Sequence, residues 1–315
     1  MIEVADLTKA YPGVVAVDRV SFRVEKGEIA GFLGPNGAGK TTTMRILTGF
    51  LAPTRGSASV AGFDVSRQSL EVRRRVGYLP ENNPLYLEMR VQDYLDFRAA
   101  VKRVPSARRR KKVDEVLERC GLTDRRRSIL QHLSKGLRQR VGLADAIVHD
   151  PEIVILDEPT IGLDPMQVRE VREIIRELGR DRTVLLSSHI LSEVEKVCGR
   201  LLIMHRGKLA ASGTPEEIAA KLMRTGRVRL EIRGDGRAIK ETLEKVPRVA
   251  RILWSAKDTL NTYLVEPADG SDLRTELFRV CAAQSWEVTE LAYEKLSLEE
   301  VFAILTSDAG AGGAP

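Results

Sequence analysis

The chain has 315 residues, 43% hydrophobic and 30% charged, which is enough to bury one large core or two ordinary ones and excludes disordered, collagen-like and disulfide-scaffold classes. Its net charge is a modest +6, and no stretch approaches the roughly 18 apolar residues that a membrane-spanning helix requires. The start, MIEVADLTKAYPG, lacks the basic and apolar regions of a signal peptide, so the chain is expected neither to be exported by one nor to thread a bilayer.

In chain order, the first clear pattern is residues 15–24, VAVDRVSFRV, which alternate apolar and polar as a half-buried strand does. Residues 28–33 form an apolar run that leads into a glycine-rich loop, and TTTMRILTGFL beyond it has helical spacing through Met44, Leu47 and Leu51. Short runs at 75–79, 153–157, 183–187 and 200–204 have the length of buried strands in a parallel sheet. Between 79 and 153 there is no strand-like run, and VQDYLDFRAAVKRV and KKVDEVLERCGL read as helices. An α/β core interrupted by an all-helical insert at about residues 84–150 accounts for this order. Within the insert, residues 101–140 carry 14 basic and 4 acidic side chains, densest at Arg108, Arg109, Arg110, Lys111 and Lys112. Little aromatic interleaving argues against single-stranded nucleic acid, leaving a solvated helix face or contact with an acidic partner or anionic headgroups.

A second unit begins near Gly226, after a segment in which Thr214, Pro215 and Glu217 supply an N-cap, an N1 proline and a capping-box partner. Its pattern reads strand (228–232), helix (237–245), strand (249–254), strand (259–265), helix (271–283), strand (286–291). That βαββαβ order suggests a small ferredoxin-like α+β domain. Ser297 and Glu300 announce a last helix over 298–305, and the ending SDAGAGGAP is expected to be disordered. Cys120, Cys198 and Cys281, without a CxxC pair, read as isolated buried thiols in a reducing compartment. His132, His149 and His205 have no ligand-type spacing, and Trp254 and Trp286 are expected in the core of the second unit.

Two elements carry chemistry. Gly34-Pro35-Asn36-Gly37-Ala38-Gly39-Lys40-Thr41 fits G-x-x-x-x-G-K-[ST] between a predicted strand and a predicted helix, with Thr42 next. Its glycines let backbone N–H groups wrap phosphates, Lys40 would reach the β- and γ-phosphates, and the Thr41 hydroxyl would bind Mg²⁺. The apolar run Ile153-Val154-Ile155-Leu156 ends in Asp157 and Glu158, so the first carboxylate can hold Mg²⁺ and the second can face a water beside the γ-phosphate.

With these motifs the chain resembles the nucleotide-binding subunit of an ABC transporter over roughly its first 220 residues. Leu133-Ser134-Lys135-Gly136-Leu137, 23 residues before Asp157 counted from Ser134, occupies the place of the LSGGQ signature. Leu163-Asp164 matches the D-loop, His189 the switch histidine and Tyr11 the aromatic that stacks on adenine. The resemblance implies a P-loop NTPase core of ABC type at 1–222, an accessory domain at 223–306 and a tail at 307–315. It also implies ATP and Mg²⁺ as cofactors, with Glu158 and His189 catalytic and the metal held by Thr41, Asp157 and Glu81. Glu81 stands where the Q-loop glutamine is expected, and Lys135 and Leu137 replace the first glycine and the glutamine of the signature. Ser134 and Gly136 would contact ATP held by an opposite subunit, implying a homodimer or a pair with a sister ATPase. A multi-span permease, a cytoplasmic location on the inner face of the membrane and export follow from the same resemblance. YLPEN, LSKG-RQR and EEVF resemble type-2 bacterial exporters of the gliding-motility and multidrug branches. The alternative is a soluble ABC-type ATPase acting on nucleic acid or the ribosome. A single cassette, and 117 residues without sustained heptads between Lys40 and Asp157, argue against it, so no nucleic-acid partner is expected. A further alternative, an ATP-binding regulatory subunit with negligible turnover, is opposed by Glu158 and His189.

Overall fold

Strands β1 (Ile2–Tyr11) and β2 (Val14–Val24) pair antiparallel and turn Ile2, Val4, Val17, Val20 and Phe22 inward. The computed structural model describes residues 1–222, 227–257, 260–269, 271–294, 300 and 302. The chain divides into two units, Met1–Thr214 and Pro215–Pro315. Strand β1 escaped the sequence pattern because Asp6 has φ +47° and the register shifts between Val4 and Leu7, which breaks the two-residue alternation.

Beyond β3 (Ile29–Leu33) and α1 (Lys40–Leu47), β4 (Arg55–Val60) and β5 (Phe63–Asp64) complete an antiparallel sheet of order β2-β1-β4-β5. Helix α2 (Ser69–Arg75) then leads into β6 (Val76–Leu79), so Arg75, read from the sequence as strand, ends a helix. The insert that follows holds α3 (Val91–Val101), α4 (Ser106–Arg119) and α5 (Lys135–Ile147), and it is helical as expected apart from one isolated bridge between Arg90 and Ile129. Strand β7 (Ile153–Leu156), α6 (Pro165–Gly179), β8 (Thr183–Ser188), the short α7 (Leu191–Val194), β9 (Arg200–His205) and β10 (Lys208–Gly213) finish the unit.

These strands form a second sheet of order β10-β9-β3-β8-β7-β6, parallel except at β10. Its central strands are apolar on both faces, as burial on both sides requires. The core packs side chains of both sheets around Met44, Ile46 and Leu47 of α1, with the Phe22 and Phe32 rings 5.4 Å apart. Because β3, β6, β7 and β8 run the same way, the loops after their carboxyl ends gather along one edge, the usual position for a ligand in such a sheet.

The second unit opens with α8 (Pro215–Leu222) and continues β11 (Arg227–Arg233), α9 (Gly236–Leu243), β12 (Val249–Lys257), β13 (Leu260–Pro267), α10 (Arg274–Ala283) and β14 (Glu287–Glu294). Its strands make an antiparallel sheet of order β12-β13-β11-β14. One face packs Val228, Leu230, Ile232 and Tyr263 against Ile239, Leu243 and Leu277 of the helices. Trp254 departs from its expected core position: it lies 42% exposed on β12, at the edge of the sheet, with its indole donating to Asn261 Oδ1 at 3.0 Å. The helix expected over 298–305 and the tail over 307–315 lie outside the described residues, apart from Glu300 and Phe302. All three cysteines are buried and unpaired. Among the described residues no helix is long and apolar enough to cross a membrane.

Candidate functional site

The loop from β3 to α1 is shaped by backbone that only glycine accommodates well. Gly39 has φ +101°, and a Cβ there would lie 2.4 Å from the Ala16 carbonyl oxygen; one on Gly34 would lie 2.4 Å from that of Met204. The loop is tied down when Gly207 N–H donates to Ala38 O (3.1 Å) and Asp18 N–H to Gly207 O (2.8 Å). Helix α1 has no side-chain cap and no acidic residue in its first turn, so its positive end is open to an anion. Lys40 folds back over this loop, its ammonium donating to Gly34 O at 2.7 Å and Pro35 O at 3.3 Å.

The Asp157 carboxylate and the Glu158 backbone, both after β7, are fixed from the neighbouring strand. The Ser187 hydroxyl donates to Asp157 Oδ1 at 2.6 Å and accepts from the Glu158 N–H at 2.9 Å. Glu158 has φ +49°, a left-handed conformation that costs on the order of 1 kcal/mol in a non-glycine residue and persists where neighbours over-determine it. Its Oε2 meets His189 Nδ1 at 2.9 Å, and its Oε1 lies 3.4 Å from Lys40 Nζ. Asp157 is fully buried, and its Oδ2 has no hydrogen-bond partner among the described residues. An orphaned buried carboxylate oxygen beside a phosphate-type loop suits Mg²⁺, which is held by one or two carboxylates together with phosphate oxygens and waters. No cluster of three or more His, Cys, Asp or Glu side chains that could hold a metal ion occurs among the described residues, so the fit depends on that shared mode.

One chain therefore brings the loop from Gly34 to Thr42, with Lys40, together with Asp157, Glu158 and His189, while no hydrogen bond or ion pair among the described residues joins Tyr11, Glu81, Ser134, Lys135 or Asp164 to Lys40, Asp157 or Glu158. Tyr11 is 45% exposed at the β1–β2 turn, with Lys9 Nζ 5.3 Å from its ring centre. Glu81 is exposed, with no hydrogen bond or ion pair among the described residues, although its charge and that of Asp157 reach the Tyr78 phenol. Burial, reinforced by Asp157, pushes that phenol up to about 12. Ser134 caps α5 by accepting from Leu137 N–H at 3.2 Å, and Asp164 caps α6 through the N–H groups of Met166 and Gln167. Lys135 is exposed, its ammonium beside Gly162 in the loop that ends at Asp164, and Gly136 is buried against Gln167.

Three positioning residues were missed in the sequence. Ser187 is one, and it gave no signal within its apolar strand. Gln139 is buried on α5 and donates to Pro159 O at 3.0 Å, tying this helix to the residue after Glu158. Asp145, also on α5, accepts from Arg98 and Tyr94 and pairs with Lys102. The available signal for the last two was a polar residue on an otherwise apolar helix face, Gln139 with Gly136, Leu143 and Ala146, and Asp145 with Val141 and Gly142.

A model of the ABC transporter family matches residues 17–161. The bacitracin transport ATP-binding protein BcrA of Bacillus licheniformis is 40% identical over 211 residues, 66% of this chain and 68% of that one. The daunorubicin resistance ATP-binding protein DrrA3 of Streptomyces coeruleorubidus is 33% identical over 311 residues, 98% of this chain and 96% of that one. A solved structure described as the ATP binding subunit of an ABC transporter matches at 32% identity with a TM-score of 0.64, covering 70% of this chain and 93% of that one. Identity at this level, extending with DrrA3 through both units, means that the chain belongs to the ABC transporter ATP-binding family.

Proposed function

We propose that this chain hydrolyses ATP as one half of a dimer and thereby powers export through a separately encoded multi-span permease of the type-2 class. Family membership implies ATP binding and hydrolysis, and the names of BcrA and DrrA3 connect such chains to transport and resistance. The observation that carries the reading is the cluster of Lys40, Glu158 and His189 beside the open end of α1. Glu158 orients the attacking water and accepts its proton, and His189 holds that carboxylate and faces the γ-phosphate. Lys40 leaves the carbonyls of Gly34 and Pro35 for the β- and γ-phosphates, which the N–H groups of Asn36 to Thr42 surround. Thr41, Asp157 and Glu81 hold Mg²⁺, which when bound offsets the charge of the phosphate oxygens.

Tyr11 stacks on adenine, Ser134, Lys135 and Gly136 face the ATP of the opposite subunit, and Asp164 lines the same interface. The partner is a second copy or a sister ATPase. The permease contacts the segment from Glu81 to Tyr86 beside the insert, which holds the chain to the inner face of the membrane. For the second unit, the strand order β12-β13-β11-β14 supports a ferredoxin-like assignment. The relatives compared offer no support for a role on nucleic acid or the ribosome.

The test is Glu158→Gln, because removing the base leaves the phosphate cradle intact. The variant should bind Mg-ATP, fail to turn it over and accumulate as a dimer on a sizing column. Hydrolysis at the parent rate, or a monomer in Mg-ATP, would overturn the reading.

A further inference from the structure

His189 and Glu193 share one short segment that follows β8. The Ser188 hydroxyl accepts from the Ile190 N–H at 3.0 Å, and α7 then supplies a single turn whose Leu191 and Val194 are buried. Strand β3 makes room for that turn at Gly31, where a Cβ would lie 2.0 Å from Val194 Cγ1 and 3.1 Å from Cys198 Sγ. One turn of helix has almost no stability of its own, so its place is set by what it packs on and what its side chains hold.

Glu193 is half-buried, and its Oε2 accepts from the Thr160 hydroxyl; no other hydrogen bond or ion pair engages it among the described residues. Thr160 is only 8% exposed and stands two residues beyond Glu158. The segments 158–160 and 187–193 therefore touch at three points. Ser187 accepts from the Glu158 N–H, His189 Nδ1 meets Glu158 Oε2 at 2.9 Å, and Glu193 accepts from Thr160. Ser187 and Glu193 thus bracket the pair of His189 and Glu158. Without the Glu193 contact, the side beyond His189 is open and the pair can pivot.

The backbone here needs such holding. Glu158 has φ +49°, a conformation that persists in a non-glycine residue when its surroundings over-determine it. Three successive residues are tied to three different elements: Glu158 to β8, Pro159 to α5 through Gln139, and Thr160 to α7 through Glu193. A half-buried hydrogen bond adds little to the stability of a fold, yet it fixes an angle, and reacting groups are sensitive to angle.

We infer that Glu193 is a positioning residue for hydrolysis: through Thr160 it keeps the Glu158 carboxylate and the His189 ring aimed at the same reacting atoms. The inference rests on the reading of Glu158 as the base and adds what keeps that base aligned with the histidine.

Steady-state hydrolysis of Mg-ATP by the full-length chain tests it. Glu193→Ala and Thr160→Val should each lower kcat about tenfold and leave KM for ATP within about twofold, because a base turned off line loses turnover before binding. Thr160→Ser and Glu193→Gln, which keep a donor and an acceptor, should retain most of the rate. The double variant Glu193→Ala with Thr160→Val should be no slower than the slower single variant, since both remove the same contact. Losses that multiply in the double variant, or a conservative variant as slow as the truncated one, would overturn the inference. So would a rise in KM that accompanies a fall in melting temperature, the mark of a packing role. Glu158→Gln measured alongside separates this inference from the reading beneath it. An inactive Glu158→Gln with Glu193→Ala at the parent rate overturns the positioning role alone, whereas Glu158→Gln at the parent rate overturns the base and with it anything Glu193 could position.

Discussion

Lys40 and Glu158 form an ion pair, Nζ to Oε1 at 3.4 Å, with both side chains only 6% exposed. The same ammonium donates to Gly34 O and Pro35 O, so it is held at once by the Glu158 carboxylate and by the glycine-rich loop. Lys40→Ala should raise the dissociation constant for ATP about 10- to 100-fold, the range expected for loss of a charge-assisted hydrogen bond worth about 1.5–3 kcal/mol. Titration with a fluorescent ATP analogue measures this, and unchanged affinity would remove Lys40 from the phosphate site.

Glu81, exposed and without a hydrogen-bond or ion-pair partner among the described residues, should make ATP binding more dependent on Mg²⁺ than a glutamine would. A carboxylate beside the triphosphate is tolerable when a cation lies between them and repulsive when none does. Glu81→Gln should tighten ATP binding in EDTA while changing Mg-ATP binding much less. Calorimetric titrations of both proteins, with and without Mg²⁺, decide it; equal affinities in EDTA would mean that Glu81 faces away from the nucleotide.

Gln139 holds the Pro159 carbonyl and so couples α5, whose N-terminus carries Ser134, to the backbone that presents Glu158. Gln139→Leu leaves that buried carbonyl unpaired and should cost about 1–2 kcal/mol of stability. Steady-state kinetics should show kcat falling about tenfold with KM for ATP little changed, because a base moved off line affects turnover more than binding. A matched fall in both, or none, would reduce Gln139 to packing.

Asp145 sits among Tyr94 and Arg98 of α3 and Lys102 just beyond its end, and joins that helix to α5. Burial alone would raise its carboxyl, but the Lys102 charge and the Arg98 hydrogen bonds hold it below its ordinary 3.8. A carboxyl lowered by folding contributes stability above its unfolded value and loses it as pH falls through the folded one. Asp145→Asn should therefore destabilise the protein by about 2–4 kcal/mol at pH 7, with Arg98 and Lys102 left uncompensated. Urea unfolding followed down through pH 3.8 should show the two proteins converging as the wild-type carboxyl becomes protonated.

The second unit was readable almost strand by strand, because Val228, Leu230 and Ile232, then Tyr263 and Val265, alternate cleanly with polar residues on a sheet with one buried face. The antiparallel sheet of the first unit was not so readable. In β4, RGSASV, only Ala58 and Val60 are buried, and in β1 the shift after Val4 hides the period. Trp254 was misread because an aromatic in a strand pattern says nothing about whether its strand is central or at an edge.

The sequence by itself determined the glycine-rich loop, the apolar strand followed by Asp157 and Glu158, and the helical insert. Each rests on a local property: which residues tolerate positive φ, which begin a helix, and which end an apolar run. Only the tertiary structure decided that Lys40 meets Glu158, that Ser187 holds the Asp157 carboxylate and the Glu158 backbone N–H and that Gln139 reaches Pro159. These pairings depend on the strand order β3-β8-β7 and on α5 packing against the loop after β7. A side-chain period records which face of a strand is buried, but not which strand lies beside it.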